Sequence, residues 1–277
     1  MTRIGIMQGR LVPPLDGRLQ AFPTHRWEEE FPLAAAARLD CIEWIYDLRS
    51  SDNNPICTDL GITRIRDLSS RYGVEIRSLC ADYFVEKPLI RVAEEACAVG
   101  LERLQRLLSQ CQKLGIKRVA LPFVDQSAMT SSQDESEALG CLRQILPVLE
   151  SLGIELHLEA SLSPQAFGSF LRRIPHPLLQ VNYDSGNSAS LGYRPEEEFA
   201  AYGARIGSVH IKDRKLGGKS VPLGTGDTDF AAVFRGLRHL DYQGDFILQV
   251  ARGEPGRELA WADLNRGFVE RHWLSSN

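Results

Sequence analysis

Short apolar segments rich in β-branched residues alternate along the chain with longer segments in which apolar residues recur at helical spacing. The predicted strands are Arg3–Gln8, Cys41–Ile45, Glu75–Ala81, Lys117–Pro122, Ile154–Glu159, Leu179–Asp184, Ile206–Lys212 and Asp245–Val250. The predicted helices span 26–38, 58–72, 90–114, 134–151, 163–173, 196–204, 229–239 and 256–272. Largely apolar strands joined by helices are typical of parallel sheets covered on both faces.

Residues that favour helix ends support these boundaries. Glycines that could cap helix C-termini are Gly73, Gly115 and Gly153, and the predicted N-caps are Asp134, Ser163 and Asp229. Eight strand–helix pairs in about 250 residues match the count and size of a (β/α)8 TIM barrel. We therefore predict that residues 1–277 form one such barrel. The alternative, a doubly wound open sheet, lacks a Gly-x-Gly-x-x-Gly motif after its first strand.

The longest irregular segments all follow a predicted strand. They are Gly9–His25, Asp47–Cys57, Ala81–Pro88 and Asp213–Thr228. TIM barrels build their sites from the loops that follow the strands. The functional site is therefore expected at this end of the barrel.

Composition excludes several classes of protein. A net charge of -4 disfavours a nucleic-acid partner, and no apolar run reaches the roughly 18 residues needed for a membrane span. The first residues read as a strand and carry too short an apolar stretch for a signal peptide. The six cysteines contain no Cys-x-x-Cys pair, so we expect free thiols in a reducing cytoplasm. A homo-oligomer is compatible with the sequence.

Polar residues stand at the ends of four consecutive predicted strands. Glu159, Asp184, His210 and Gln249 would offer three oxygens and one imidazole nitrogen, which suits one Mn²⁺, Mg²⁺, Co²⁺ or Zn²⁺ ion. Taken singly, each is more often a helix cap or a hydrogen-bonded core residue. Their shared level in neighbouring strands is what favours a metal site. His157, two residues before Glu159, is expected one layer deeper, in a packing or supporting role.

Further polar residues could act on a substrate. Lys212 should face the same side as His210 and could donate to a substrate oxygen, unless it pairs with Asp213 or Asp184. The substrate-binding candidates are Arg10, Glu43, Asp82, Asn187, Arg214 and Arg252. Glu43 could instead cap a loop, and Asp82 could pair with Lys87.

A phosphate site could lie in the loops after the last two strands, where TIM barrels often place one. The residues available there are Arg214, Lys215, Lys219, Gly224, Gly226 and Arg252. The Leu-Gly-Thr-Gly-Asp segment is equally compatible with a plain turn before a helix. Phosphorylated and free sugars, cyclitols and keto-acids all remain open as substrates.

Motifs spread over nearly the whole chain resemble a known superfamily. They are Ile4–Leu11, Trp27–Phe31, Cys41–Trp44, His157–Glu159, Asp184–Asn187, Val209–Asp213 and Pro222–Asp227. The sequence resembles the sugar phosphate isomerase/epimerase superfamily of xylose isomerase-like TIM barrels. The resemblance implies a divalent metal on Glu159, Asp184 and His210, a small carbohydrate-like substrate, and carboxylates that move a proton between carbons or between oxygens.

Two positions depart from the pattern of many members of that superfamily. A Glu often supplies the fourth ligand where this chain has Gln249, and a His often stands where this chain has Asn187. A carboxamide oxygen can bind a metal but cannot accept a proton at useful pH. Two-base epimerisation therefore loses one base, while Glu159 can still serve as ligand and general base.

The predicted function is a metal-dependent isomerase or epimerase of a small sugar, sugar phosphate or related compound. A single-base isomerisation and a metal-assisted dehydration, as in an inosose dehydratase-like lyase, both remain open. A sugar-binding barrel without activity is a third alternative. A nuclease like endonuclease IV is disfavoured, because only two of the six histidines lie on the ligand-bearing strands.

Overall fold

Eight parallel strands close into a barrel in sequence order, with β1 hydrogen-bonded to β8. The computed structural model describes residues 3–274. The strands β1 to β8 are Ile4–Met7, Cys41–Ile45, Glu75–Cys80, Arg118–Phe123, Glu155–Ala160, Leu179–Asp184, Ile206–Ile211 and Phe246–Leu248. The predicted (β/α)8 fold is confirmed. Each strand lies within one or two residues of its predicted position.

Helices follow the strands around the outside of the barrel. The helices α1 to α10 are Glu30–Ala36, Asp59–Tyr72, Tyr83–Glu86, Glu94–Leu114, Ser132–Leu152, Pro164–Arg172, Ser185–Leu191, Pro195–Tyr202, Phe230–His239 and Glu258–Leu274. Two of them, α3 and α7, are single short segments that the sequence pattern did not predict. The predicted first helix is shorter than expected, because Trp27–Glu29 forms a 3₁₀ turn before α1.

Most of the predicted helix ends are confirmed. Gly73, Gly115 and Gly153 end α2, α4 and α5 in the left-handed conformation, with φ of 67°, 80° and 61°. Ser163 and Asp229 cap the N-termini of α6 and α9 through their side chains.

The predicted N-cap at Asp134 is wrong. Ser131 caps α5, and its side chain accepts a hydrogen bond from the backbone N–H of Asp134. The Asp134 carboxylate instead accepts bonds from Thr130 and from the Arg91 guanidinium. Ser131 was therefore the better capping candidate, three residues nearer the loop.

Alternation along strands such as β2 places apolar side chains in an outer layer and polar side chains in the barrel interior. On β2, Trp44 is fully buried and its ring lies 5.4 Å from that of Phe22, whereas the neighbouring Glu43 bonds to His210 of β7. On β8, Phe246 packs with its ring centroid 5.0 Å from Trp273 and 5.4 Å from Phe234. Burying an aromatic side chain of this size contributes roughly 1.5–3 kcal/mol. The outer layer thus stabilises the barrel and leaves its interior for polar groups.

None of the helices within residues 3–274 combines the length and the apolar character that a bilayer span requires.

Candidate metal and proton-transfer site

Three of the predicted metal ligands meet at the C-terminal ends of neighbouring strands. Glu159, Asp184 and His210 each offer one ligand atom, and these atoms all lie within 4.8 Å of one another. All three residues are buried. Asp184 and His210 are directly paired in the register of β6 and β7, which places them side by side. The arrangement joins two carboxylates and one imidazole, as the sequence predicted.

Glu43 fixes the orientation of His210. Its Oε1 lies 2.6 Å from His210 Nε2, and its other oxygen accepts a 2.6 Å hydrogen bond from Ser78 Oγ. With Nε2 directed at Glu43, the second ring nitrogen Nδ1 lies 3.6 Å from Glu159 Oε2. A carboxylate behind a ligating histidine sets which nitrogen faces the metal. Glu43 was predicted as a substrate contact, but its contacts here are with His210 and Ser78.

Asn182 links the acidic and imidazole groups, and its position was missed by the sequence analysis. Its Nδ2 lies 2.7 Å from Glu159 Oε2 and 3.0 Å from His210 Nδ1, and its Oδ1 accepts a 2.6 Å bond from Ser208 Oγ. The signal was available, since a buried Asn two residues before Asp184 shares its side of the strand.

His157 lies in the barrel interior, as predicted. It is fully buried, with Nδ1 2.7 Å from Ser208 Oγ and Nε2 2.9 Å from Glu155 Oε2. Burial, the largest influence, lowers its pKa and so favours the neutral ring. His157 therefore supports the site through Ser208 and does not join the three ligands.

Lys212 lies among the oxygens of the site. It follows the last residue of β7, and its Nζ lies 3.3 Å from Asp184 Oδ2, 2.9 Å from Gln249 Oε1 and 3.2 Å from Asn187 Oδ1. Of the two ion pairs that the sequence left open, the one with Asp184 is present. The lysine therefore connects Asp184 at the end of β6 with Gln249, which directly follows β8.

Asn187 holds both the acidic and the basic groups of the site. Its Nδ2 donates a 2.6 Å hydrogen bond to Glu159 Oε1, and its Oδ1 accepts from Lys212 and, at 2.8 Å, from Arg214. Asn187 lies in α7, whose N-terminus is capped by Asp184 Oδ1. The short helix α7 thus sets the separation between the Asp184 carboxylate and the Asn187 side-chain amide.

The ionisation of the site follows from its burial. Burial and the neighbouring Asp184 carboxylate raise the pKa of Glu159 to about 7. Burial opposes a charged His210, but Glu43, together with Glu159 and Asp184, outweighs it and raises the pKa of His210 to about 9. The raised pKa brings Glu159 towards the range in which a carboxyl exchanges protons effectively.

Arg10 ties the loop after β1 to the end of β8. Its guanidinium donates to the carbonyls of Val250 at 2.9 Å and Leu19 at 2.6 Å, and to Gln20 Oε1 at 3.1 Å. Burial lowers the pKa of this arginine to about 9. These contacts leave Arg10 4% exposed and give it a role in shaping the loop.

Two other predicted substrate contacts also hold this loop. Arg252 donates to the carbonyls of Leu19 and Val12, and Asp82 accepts a 2.6 Å hydrogen bond from Gln20 Nε2. Asp82 also accepts from Cys80 Sγ at 3.1 Å, so Gln20 and Cys80 bind the carboxylate for which Lys87 was the alternative partner.

Asp213 organises the loop after β7. Its carboxylate accepts hydrogen bonds from the backbone N–H groups of Gly224, Gly226 and Thr228. A Cβ at Gly226 would lie 2.0 Å from Asp213 Oδ1, so the close approach requires glycine. The amides of Gly224 and Gly226, which were candidates for a phosphate site, already donate to Asp213. Their bonds agree with the plain turn before α9.

The residues present suit a divalent metal ion. The cluster of Glu159, Asp184 and His210 is buried and pairs hard oxygen donors with one imidazole. Gln249 is 6% exposed, and its Oε1 shares the Lys212 ammonium with Asp184. The fourth predicted ligand therefore contacts the same lysine as Asp184.

Comparison with known proteins agrees with this architecture. A model of the xylose isomerase-like TIM barrel family matches residues 31–269. The chain belongs to this family. The superfamily inferred from the sequence motifs is thereby confirmed.

Proteins similar to this chain include two that are named as sugar epimerases. The chain is 25% identical over 240 residues to L-ribulose-5-phosphate 3-epimerase UlaE from Shigella flexneri, covering 81% of this chain and 82% of that protein. D-allulose 3-epimerase from Methylomonas sp., solved in complex with D-allulose, superposes with a TM-score of 0.74 at 18% identity, over 98% and 97% of the two chains. The IOLI protein, solved with a bound zinc atom, superposes with a TM-score of 0.77 at 14% identity over 99% of each chain. These matches are consistent with an isomerase-class enzyme.

Proposed function

We propose that this protein is a divalent-metal-dependent isomerase or epimerase of a small ketose or ketose phosphate, with Glu159 as the group that moves the proton. The observation that carries the proposal is the position of Glu159. Its carboxylate belongs to the three-residue ligand cluster, and burial together with Asp184 raises its pKa to about 7. A single side chain is thus placed both to bind a cation and to exchange a proton.

The proposed metal ligands are Glu159, Asp184, His210 and Gln249, and the ion is Mn²⁺, Mg²⁺, Co²⁺ or Zn²⁺. A divalent ion held there supplies Lewis-acid stabilisation of the negative charge that develops beside a carbonyl. Glu43 keeps Nδ1 of His210 directed towards this cluster. Gln249 offers an oxygen donor without adding negative charge.

The protein prepares Glu159 for proton transfer through two amide contacts. Asn182 donates to one carboxylate oxygen and Asn187 to the other, which fixes the plane of the carboxyl group. Burial excludes water and keeps the carboxyl a stronger base than an exposed glutamate. A positioned general base of this kind typically contributes about 10²–10⁴-fold to the rate.

Polar groups around Asn187 are proposed to bind substrate oxygens. Lys212 and Arg214 both donate to Asn187 Oδ1, so two cationic side chains meet at one point beside Glu159. In this proposal Lys212 stabilises negative charge on a substrate oxygen. Arg10, Arg252 and Asp82 act indirectly by shaping the loop after β1, and Glu43 acts through His210.

The similarity to UlaE and to D-allulose 3-epimerase supports a ketose substrate that exchanges a proton at the carbon next to the carbonyl. A cytoplasmic sugar-metabolising role is part of this proposal. Phosphorylated and free ketoses are tested separately, because one relative is named for a phosphorylated ketose and the other for a free one.

The test is solvent exchange of substrate hydrogen. The metal-loaded protein is incubated in D₂O with L-ribulose, L-ribulose 5-phosphate, D-allulose and D-fructose, and deuterium at each carbon is followed by NMR. We expect deuterium next to the carbonyl for at least one substrate, with loss of about 10²-fold or more in Glu159→Gln. Glu135→Gln, which removes a surface partner of Arg173, should exchange normally.

The products separate the remaining alternatives. An epimer identifies an epimerase, an aldose identifies an isomerase, and loss of water identifies the lyase. Absence of exchange on a broad ketose panel with each of the four metals would contradict the proposal.

A further inference from the structure

We propose that the Lys212 ammonium is a built-in competitor of the metal, which must be displaced before Asp184 and Gln249 can act as ligands. This inference rests on the proposed metal site. It concerns how a metal ion enters that site. The supporting observation is that the lysine binds an oxygen of each of these two residues.

Asp184 and Gln249 each have one oxygen available to a metal ion, and Lys212 is bound to that oxygen in both residues. Asp184 Oδ1 accepts hydrogen bonds from the backbone N–H groups of Gly186 and Asn187 at the start of α7. Its other oxygen, Oδ2, lies 3.3 Å from Lys212 Nζ. Gln249 has a single carbonyl oxygen, and this lies 2.9 Å from the same ammonium. A cation binding Asp184 Oδ2 and Gln249 Oε1 therefore meets the lysine at both atoms.

The backbone and stem of Lys212 are held in place for this contact. The N–H of Lys212 donates to Ser185 Oγ at 3.0 Å, and its carbonyl accepts from the same hydroxyl at 2.8 Å. A Cβ at Gly186 would lie 2.6 Å from Lys212 Cγ, so the absence of a side chain there admits the lysine stem. The side chain of Lys212 is 13% exposed. Packing therefore restrains the position of the Lys212 side chain, whereas a lysine on the open surface would move freely.

Charge explains why the arrangement is stable without a metal. The ammonium forms an ion pair with the Asp184 carboxylate, which is 1% exposed and therefore costly to leave charged without a direct partner. The neutral Gln249 adds a second acceptor but no further negative charge. Asn187 Oδ1, at 3.2 Å, is a third acceptor that the lysine can keep when it leaves the two ligands. Loading of the site therefore exchanges one cation for another.

The test is metal affinity, measured by isothermal titration of Mn²⁺ and Co²⁺ into chelator-treated full-length protein. Lys212→Met removes the charge and keeps most of the stem, and Lys212→Gln provides a polar variant should the first fail to fold. The control is Lys215→Met, which removes an exposed lysine paired with Asp227 on the same loop. Circular dichroism establishes folding of each variant before titration.

We expect both Lys212 variants to bind metal about 10- to 100-fold more tightly than the wild type, the range for one hydrogen bond to a charged group. The Lys215 control should bind like the wild type. Equal or weaker affinity in folded Lys212 variants would overturn the competitor role while leaving the metal site intact. Absence of binding in the wild type and in every variant would overturn the metal site itself, and the competitor role with it.

Discussion

Replacing Glu43 by Gln should change how metal affinity depends on pH. Glu43 lies 2.6 Å from His210 Nε2 and is 1% exposed, so the substitution removes a buried charge next to the imidazole and keeps the shape of the side chain. The Gln oxygen can still accept from His210. The main loss is therefore the negative charge that favours protonated His210.

The magnitude follows from the pKa of His210. With a pKa of about 9, this ring is deprotonated in about one molecule in 100 at pH 7, and a metal binds only the deprotonated ring. Because the pKa of His210 is raised, a proton stays bound to the ring below about pH 9 and competes with the metal for that nitrogen. Wild-type affinity should therefore rise about tenfold per pH unit between pH 7 and 9.

The Glu43→Gln protein should follow a flatter curve. Its His210 pKa moves towards the ordinary value of 6.5, so that little competing proton remains above pH 7. The loss of the orienting charge should itself weaken binding by about 10- to 100-fold at high pH. The two affinities should therefore lie within about tenfold of each other at pH 7, and the wild type should become the tighter binder by pH 8.5.

The assay is chelator-competition titration of Co²⁺ at pH 6.5, 7.0, 7.5, 8.0 and 8.5, with proton release measured in buffers of different ionisation enthalpy. Glu150→Gln is the matched control, since it removes the carboxylate that pairs with His176 away from the site. Parallel pH curves for the wild type and Glu43→Gln would refute the reasoning, because Glu43 would then not govern the His210 proton.

Three further substitutions test other parts of the account. Asn187→Ala removes a 2.6 Å hydrogen bond from the Glu159 carboxylate, so the pKa of Glu159 should rise above about 7. The acid limb of the pH–rate profile should then move to higher pH, and an unchanged limb would contradict the contact. Asp213→Ala leaves three loop amides without their acceptor and should lower the free energy of unfolding by about 1–3 kcal/mol, with faster protease cleavage of the loop after β7. Unchanged cleavage would show that the loop does not depend on Asp213. Phe246→Ala empties a fully buried position and should cost about 3–5 kcal/mol in chemical denaturation, and a cost under 1 kcal/mol would contradict its place in the packed layer.

The fold was predictable because its signals are local. Strand segments, helix periods and capping glycines each depend on neighbours within a few residues, and the barrel follows from their order. The grouping of Glu159, Asp184 and His210 was predictable for a related reason. Parallel strands end at the same edge, so polar residues at the ends of β5, β6 and β7 meet without knowledge of the exact register.

The supporting contacts were less accessible, because they depend on register and closure. The pairing of β6 with β7 shifts between Val181 and Asn182, so the neighbours of Asn182 cannot be counted along the strand. Arg10 binds the carbonyl of Val250 from the opposite end of the chain, a contact that exists only once β1 and β8 have paired. The short helix α7 was missed since Ser185–Leu191 carries small and polar residues that resemble a loop.

The central claim is a divalent metal held by the cluster of Glu159, Asp184 and His210. The most direct measurement is the metal content and affinity of the purified protein, compared with a Glu159→Gln, His210→Ala double variant. The account predicts one equivalent of Mn²⁺, Co²⁺, Mg²⁺ or Zn²⁺ in the wild type under metal-replete conditions and loss of binding in the variant. A wild type that binds none of these metals, or a double variant that binds equally well, would contradict it.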